Sequence, residues 1–245
     1  MHKDQSLLVE NATWLDVQHA IEQNILCLLP IGAICKEHGP HLPLNTDFVQ
    51  AKWISERVSS EVPSIIWPVV SYGYYPAFTG YPGSWSISEN AFRLAMLDII
   101  ESIAKHGSNS IAILNTGIST IKPLEKVIAD SPFRDRLHLI NVYSGKRVQT
   151  VINELEEQHA GGHADEIETS IMLAIDSEHV DMNKAEPGLE NIKRGPLNKS
   201  NPDKPNYSPS GSMGNPTFAS HNKGEKVLAA IIDDVIQELE KIEPL

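Results

Sequence analysis

Four short apolar runs, ILCLLPIGAI (25–34), SIIWPVVSYG (64–73), NSIAILNTG (109–117) and LHLINVY (137–143), set the first constraint on this chain. None alternates cleanly between apolar and polar residues, so each reads as a strand covered on both faces. Stretches with helical apolar spacing lie between and after them, at 49–62, 88–107, 122–130, 145–158, 165–175 and 224–242. Ser88 and Asn90 offer N-caps for the second of these, and Gly107 suits its C-terminal turn. Strands alternating with helices predict an α/β fold, a three-layer α/β/α arrangement around a mostly parallel sheet. In such sheets ligands gather beyond the carboxyl ends of the strands. That rule draws residues 36–47, 72–85 and 115–120 to one rim.

The segment 183–223 breaks the pattern, being rich in Pro, Gly, Asn, Ser and Lys. A loop of that length inside a domain points to function, disorder or an interface. Neither a repeat nor a linker divides the chain, so residues 1–245 read as a single domain. A net charge of -12 and a pI of about 5.2 argue against nucleic acid or an anionic membrane as partner. No apolar run approaches the length of a membrane span, and MHKDQSLLVENATW has no apolar signal core, so a cytoplasmic location is expected. Cys27 and Cys35 are too far apart along an extended segment for a disulfide, and read as buried free thiols.

The rim segments carry the candidate chemistry. KEHGPHLPLNTD (36–47) collects Glu37, His38, His41 and Asp47 around a Gly-Pro step. Carboxylate and imidazole together suit zinc, manganese or iron. The alternative is a polar turn in which Thr46 or Asp47 caps the next helix and the histidines are exposed. HAGGHADEIETS (159–170) holds a second set, in which Asp165 and Glu168 share one face of a helix. Asp165 and Glu166 suit the positive end of that helix. Glu168 stands among Ile167, Ile171, Met172 and Ile175, and a buried carboxylate there needs a partner or a metal. His163 faces the same cavity if it sits just before the helix.

YGYYPAFTGYPGSWS (72–86), with Tyr75, Phe78 and Trp85, is either the wall of a small-molecule pocket or a surface packed on a neighbouring subunit. NTGIST (115–120) offers Thr116 and Ser119 to an oxyanion or simply turns the chain. Nucleophile-elbow, P-loop and dinucleotide fingerprints are absent from the sequence. Cys35 stays open as a nucleophile through its nearness to His38 and His41.

EHGPHLPLNTD, HADEIETS and GSMGNPTFASHNKGEKVL, in that order, resemble the conserved blocks of the creatininase family of metal-dependent amidohydrolases. The likeness spans roughly residues 25 to 240 and accounts for the anomalous late loop. It implies a layered α/β/α fold, a homo-oligomer (often a hexamer), and one or two divalent ions, zinc or manganese with iron as a further option. It also implies hydrolysis of a non-peptide or cyclic amide C–N bond in a small molecule. By position, His38, Asp47 and Glu168 match metal ligands, Glu37 is a further ligand, and His163 matches the catalytic acid/base. Tyr75, Phe78, Trp85, Thr116 and Ser119 are the expected substrate contacts. A divalent ion acidifies water and polarises a carbonyl, while a histidine moves the proton to the leaving nitrogen.

The chain also departs from the family pattern. Lys36 stands where relatives carry a ligand glutamate, with Glu37 one place later. The usual histidine of an Asn-Gly-His loop falls at Gly117, and Phe78 replaces a common histidine. These departures point away from creatinine itself and towards another amide. They also raise a second possibility, a metal-free binding or scaffold protein that keeps the fold.

Overall fold

Burial along the strands follows a period of two, with both faces covered. In β2 (Leu26–Ile31), Leu28 enters one apolar cluster, while Cys27, Leu29 and Ile31 enter another. The same division splits Ala112 and Leu114 from Ile111 and Ile113 in β4 (Ile111–Asn115). These strands are therefore apolar throughout because each faces helices on both sides. The computed structural model describes residues 6–190, 193 and 195–242. Part of the expected loop 183–223 (191, 192 and 194) and both chain ends thus lie outside the described residues.

The sheet has five parallel strands, ordered β1-β3-β2-β4-β5, with β1 at Leu7–Leu8, β3 at Ser64–Ile66 and β5 at Leu137–Asn141. One face is covered by α1 (Trp14–Glu22), α3 (Glu89–Lys105) and α4 (Ile121–Asp130). The other face is covered by α2 (Thr46–Val58), α5 (Lys146–Leu155), α6 (Glu166–Ile175) and α7 (His221–Leu239). This is the α/β/α sandwich that the sequence predicts. The short edge strand β1 and helix α1 were not among the expected elements.

The run 64–73 does not form one strand: β3 stops at Ile66, and only Val70 rejoins the sheet, bridging to Ile31. Proline explains the gap. Pro30 in β2 has no N–H, and its carbonyl accepts from Val70 on the β3 side, so β2 offers that segment no donor until the Gly32 N–H reaches the Val70 carbonyl. Pro68 withholds a second donor from the same stretch.

From β2 the chain crosses to β3 through α2, on one face. From β3 it passes β2 to reach β4 through α3, on the opposite face. Moving in opposite directions on opposite faces gives the two connections the same hand, as the crossover rule requires, and connections diverge in opposite directions between β2 and β4. That divergence opens a crevice at the strands' carboxyl ends, where the loop 32–45 after β2 and the turn 116–120 after β4 meet.

Candidate metal centre

The loop after β2 reverses direction in a short space. Gly39 adopts φ +72, and a Cβ there would strike the His41 ring and Ser212 Oγ below 3.0 Å, so glycine alone fits. The reversal turns His38 inward, leaving it 0% exposed. His38 Nδ1 donates to the Lys36 carbonyl at 2.8 Å. In the neutral ring the lone pair then lies on Nε2, which faces Asp47 Oδ1 at 3.0 Å and Glu168 Oε1 at 3.6 Å. Three acceptor atoms thus converge with no intrinsic donor among them. A proton or a cation must sit there.

Asp47 lies in the first turn of α2 and Glu168 in the first turn of α6, so both carboxylates stand at positive helix ends. Asp47 does not cap α2: the N-cap position belongs to Asn45, which makes no side-chain cap bond. Its other oxygen, Oδ2, meets the buried Lys36 ammonium at 2.7 Å. Burial opposes both charges. For Asp47, the neighbouring Lys36 and His38 overcome it and hold the carboxyl well below the usual range. For Lys36, the carboxylates of Asp47, Glu168 and Glu37 overcome it and raise the ammonium pKa.

His163 precedes α6 and is fixed through its backbone, whose N–H and C=O both pair with Met213 of the late loop. Its Nε2 donates to Glu37 Oε2 at 3.1 Å, leaving Nδ1 towards Glu168 Oε2 at 3.7 Å. Donor atoms of His38, His163 and Glu168 all lie within 4.8 Å of one another, a spread compatible with one ion. Glu37 has both oxygens engaged: Oε2 by His163 and Oε1 by the Gly39 N–H. Burial raises its pKa, and the His163 contact and the Gly39 amide more than offset that, lowering it overall. The late loop cradles this carboxylate, because a Cβ on Gly211 (φ +88) would strike Glu37 Oε1. The Ser84 hydroxyl accepts from the Glu37 N–H at 2.7 Å.

The three acidic residues take separate places in the fold. Asp165 is the N-cap of α6, accepting from the Ile167 and Glu168 amides. Burial leads a set of effects that pushes its carboxyl up to about 6. Glu166, expected with Asp165 at the positive end of the helix, is the fully buried member and pairs with Lys223 of α7. Glu168, expected to be buried, keeps 16% of its side chain exposed and opens towards the centre. His41 is buried too, with Nε2 at 2.8 Å from the Thr169 hydroxyl. Burial is the main cause that takes its pKa down to about 4.

The aromatic loop divides into two parts. Tyr75, Phe78 and Tyr81 are buried together with Ala33 and Leu197. Phe78 tilts over His163 at 4.4 Å between centroids and lies 4.9 Å from the Lys36 ammonium. Trp85 points outward instead, 44% exposed and stacked on Tyr72 at 5.0 Å. The Thr116 hydroxyl is committed to the Ile31 carbonyl at 2.9 Å, and Ser119 is half-buried in the turn with no hydrogen bond to the centre among the described residues. Of the expected site residues, then, the fold gathers Glu37, His38, Asp47, His163, Glu168, Tyr75 and Phe78, and holds Trp85 and Ser119 apart. Cys35 is half-buried, and its carbonyl accepts from the Trp85 N–H.

Sequence reasoning passed over Gln50 and Tyr143. Tyr143 donates its hydroxyl to Gln50 Oε1 beside α2. Burial leads, and the Glu168, Asp47 and Asp165 charges add to, a strong rise in the Tyr143 pKa. A lone tyrosine after β5 carries no motif that could have pointed to it.

Comparison with known proteins is consistent with this arrangement. The creatininase family model, described as creatinine amidohydrolase, matches residues 10–239. Creatinine amidohydrolase of Pseudomonas putida is 21% identical over 198 residues, 74% of this chain and 76% of that protein. A mycofactocin precursor peptide peptidase of Mycolicibacterium smegmatis is 25% identical over 230 residues, 89% of this chain and 86% of that one. A solved structure described as "Creatininase Mn" superposes with a TM-score of 0.81 at 21% identity, covering 97% of this chain and 98% of that one. A mutant creatininase described as "Zn-Zn type" gives the same TM-score, identity and coverage.

Proposed function

The chain belongs to the creatininase family, and from that premise we propose that it hydrolyses an amide or related C–N bond in a small molecule, using divalent metal held at His38, Asp47 and Glu168. The observation that carries this reading is the facing of His38 Nε2, Asp47 Oδ1 and Glu168 Oε1, three acceptors that only a cation or a proton reconciles. The donor set of imidazole and carboxylate fits zinc or manganese. When bound, such an ion supplies Lewis-acid polarisation of a carbonyl and a water acidified towards neutral pH.

The remaining roles belong to the protein. His163 carries the proton: Glu37 fixes its tautomer through Nε2, so Nδ1 is the atom free to take or give a proton on the side of the centre. Glu37 therefore orients His163 and is not itself a ligand in this assignment, in contrast to the role expected from sequence. Phe78 and Tyr75 form an apolar wall that keeps bulk water from the His163 ring and narrows the space for a substrate. Similarity to both an amidohydrolase and a peptidase supports amide chemistry without choosing a substrate.

The test is to purify the chain without chelator, measure its metal, and screen it against cyclic amides, formamides and short peptides. The expected result is bound divalent metal and an amide hydrolysis lost with chelator and restored by the ion. Full metal occupancy in a His38→Ala, Asp47→Asn double variant would overturn the ligand assignment. No metal bound, and none taken up on titration, would leave the scaffold reading instead.

A further inference from the structure

Resting on that reading, we propose that Lys36 is a built-in replacement for a second metal ion, so that the centre holds one divalent cation and one ammonium side by side. The two oxygens of Asp47 are divided: Oδ1 faces His38 Nε2 at 3.0 Å, and Oδ2 meets Lys36 Nζ at 2.7 Å. A carboxylate shared in this way is how a bridging ligand holds two cations. Here one of the two places is already taken by a covalently attached charge.

Charge balance gives the same count. Glu37, Asp47 and Glu168 bring three negative charges into the centre, and Lys36 returns one positive charge. Two negative charges remain, which one divalent ion neutralises. Two divalent ions would leave the centre with a surplus of positive charge in a buried setting, a costly state. A glutamate at position 36 would bring four negative charges, matched by two divalent ions.

With lysine at position 36, the surroundings of Nζ suit an ammonium and not a metal; a carboxylate at that position would supply the donor they lack. Aromatic rings flank it, Phe78 at 4.9 Å and Tyr75 at 6.0 Å from their centroids. Aromatic faces attract an ammonium but offer no donor to a hard or borderline ion. The turn after β4 supplies no ligand either. Gly117 has no side chain, the Thr116 hydroxyl is spent on the Ile31 carbonyl, and Asn115 is spent on Gly117, Thr120 and Asn141. Beside the ammonium, Asp47 Oδ2 is the one oxygen at ion-pairing distance among the described residues.

The experiment is metal stoichiometry on the full chain. Protein loaded with Mn(II) and freed of excess is analysed for metal per chain and by electron paramagnetic resonance. One equivalent, with the hyperfine pattern of an isolated ion, is expected for the native chain. Lys36→Glu is expected to take up a second equivalent and to show the spectrum of a coupled pair. Two equivalents in the native chain would overturn this inference while leaving the metal-dependent reading intact. No uptake at all would overturn both. A folded Lys36→Glu variant still holding one ion would refute the part assigned to Lys36. Should that variant not fold, the native stoichiometry and spectrum decide the number of ions alone.

Discussion

On one face of the sheet, α3 buries Phe92, Met96, Ile100 and Ile103 beside Ala20 and Ile21 of α1 and Leu124 and Val127 of α4. Those three helices bury no charged side chain. On the opposite face, α2, α6 and α7 bury Asp47, Glu166 and Asp234 among equally apolar neighbours. Each buried charge costs solvation that only specific partners restore. The first layer therefore acts as ballast, gaining roughly 1.5–3 kcal/mol for each large side chain it fully buries. The second gives up part of that gain to hold charge, and two of its helices begin at the rim where the chemistry would occur. Asp47 and Glu168 meet His38 there only because α2 and α6 start side by side.

The comparison is broken most sharply at His163. His163→Ala should lower the turnover of an amide substrate by roughly 10²–10⁴-fold, with metal content unchanged in elemental analysis. Loss of the ion as well would make this histidine a ligand. In the apolar layer, Phe92→Ala should cost about 3–5 kcal/mol in chemical denaturation, and native-state metal uptake should not change. A change in ion affinity there would show that the layers are not independent.

A pH effect of intermediate size belongs to Asp165. Its folded carboxyl titrates at about 6, above its ordinary value of 3.8, chiefly because it is buried. The folded protein therefore keeps a proton that the unfolded chain has lost. Its contribution to stability falls as pH rises from about 4 to about 6, by on the order of 3 kcal/mol. Asp165→Asn should flatten that slope in denaturation curves taken across this window; an unchanged slope would assign it to other groups. The smallest effect is expected at Asp234, whose carboxylate accepts from the Val148 N–H at 3.0 Å and so caps α5 from another helix. Asp234→Ala should cost about 1 kcal/mol, read as a shifted denaturation midpoint. An unshifted midpoint would remove this cap from the stability of the polar layer.

The main strands and helices could be read from local pattern because helical period and two-sided apolar runs are properties of neighbouring residues. The run 64–73 was misleading since its pairing depended on Pro30, far away in sequence, as well as on Pro68 within it. β1 is two residues long and too short to leave a pattern. In the site, the types and order of His38, Asp47, His163 and Glu168 were visible as clustered donors. The division of labour among Asp165, Glu166 and Glu168 was not, because it depends on Lys223, on the late loop and on which side of α6 faces the rim.

By itself the sequence determined an α/β chain of alternating strands and helices, and placed its ionisable residues at strand ends and helix starts. Periodicity and residue chemistry are local and survive without coordinates. Only the tertiary structure decided that Lys36 reaches Asp47, that Glu37 reaches His163, and that Glu166 is buried while Glu168 opens to the centre. Those outcomes depend on partners brought together from distant segments, where burial and pairing, rather than residue type, set what each charge does.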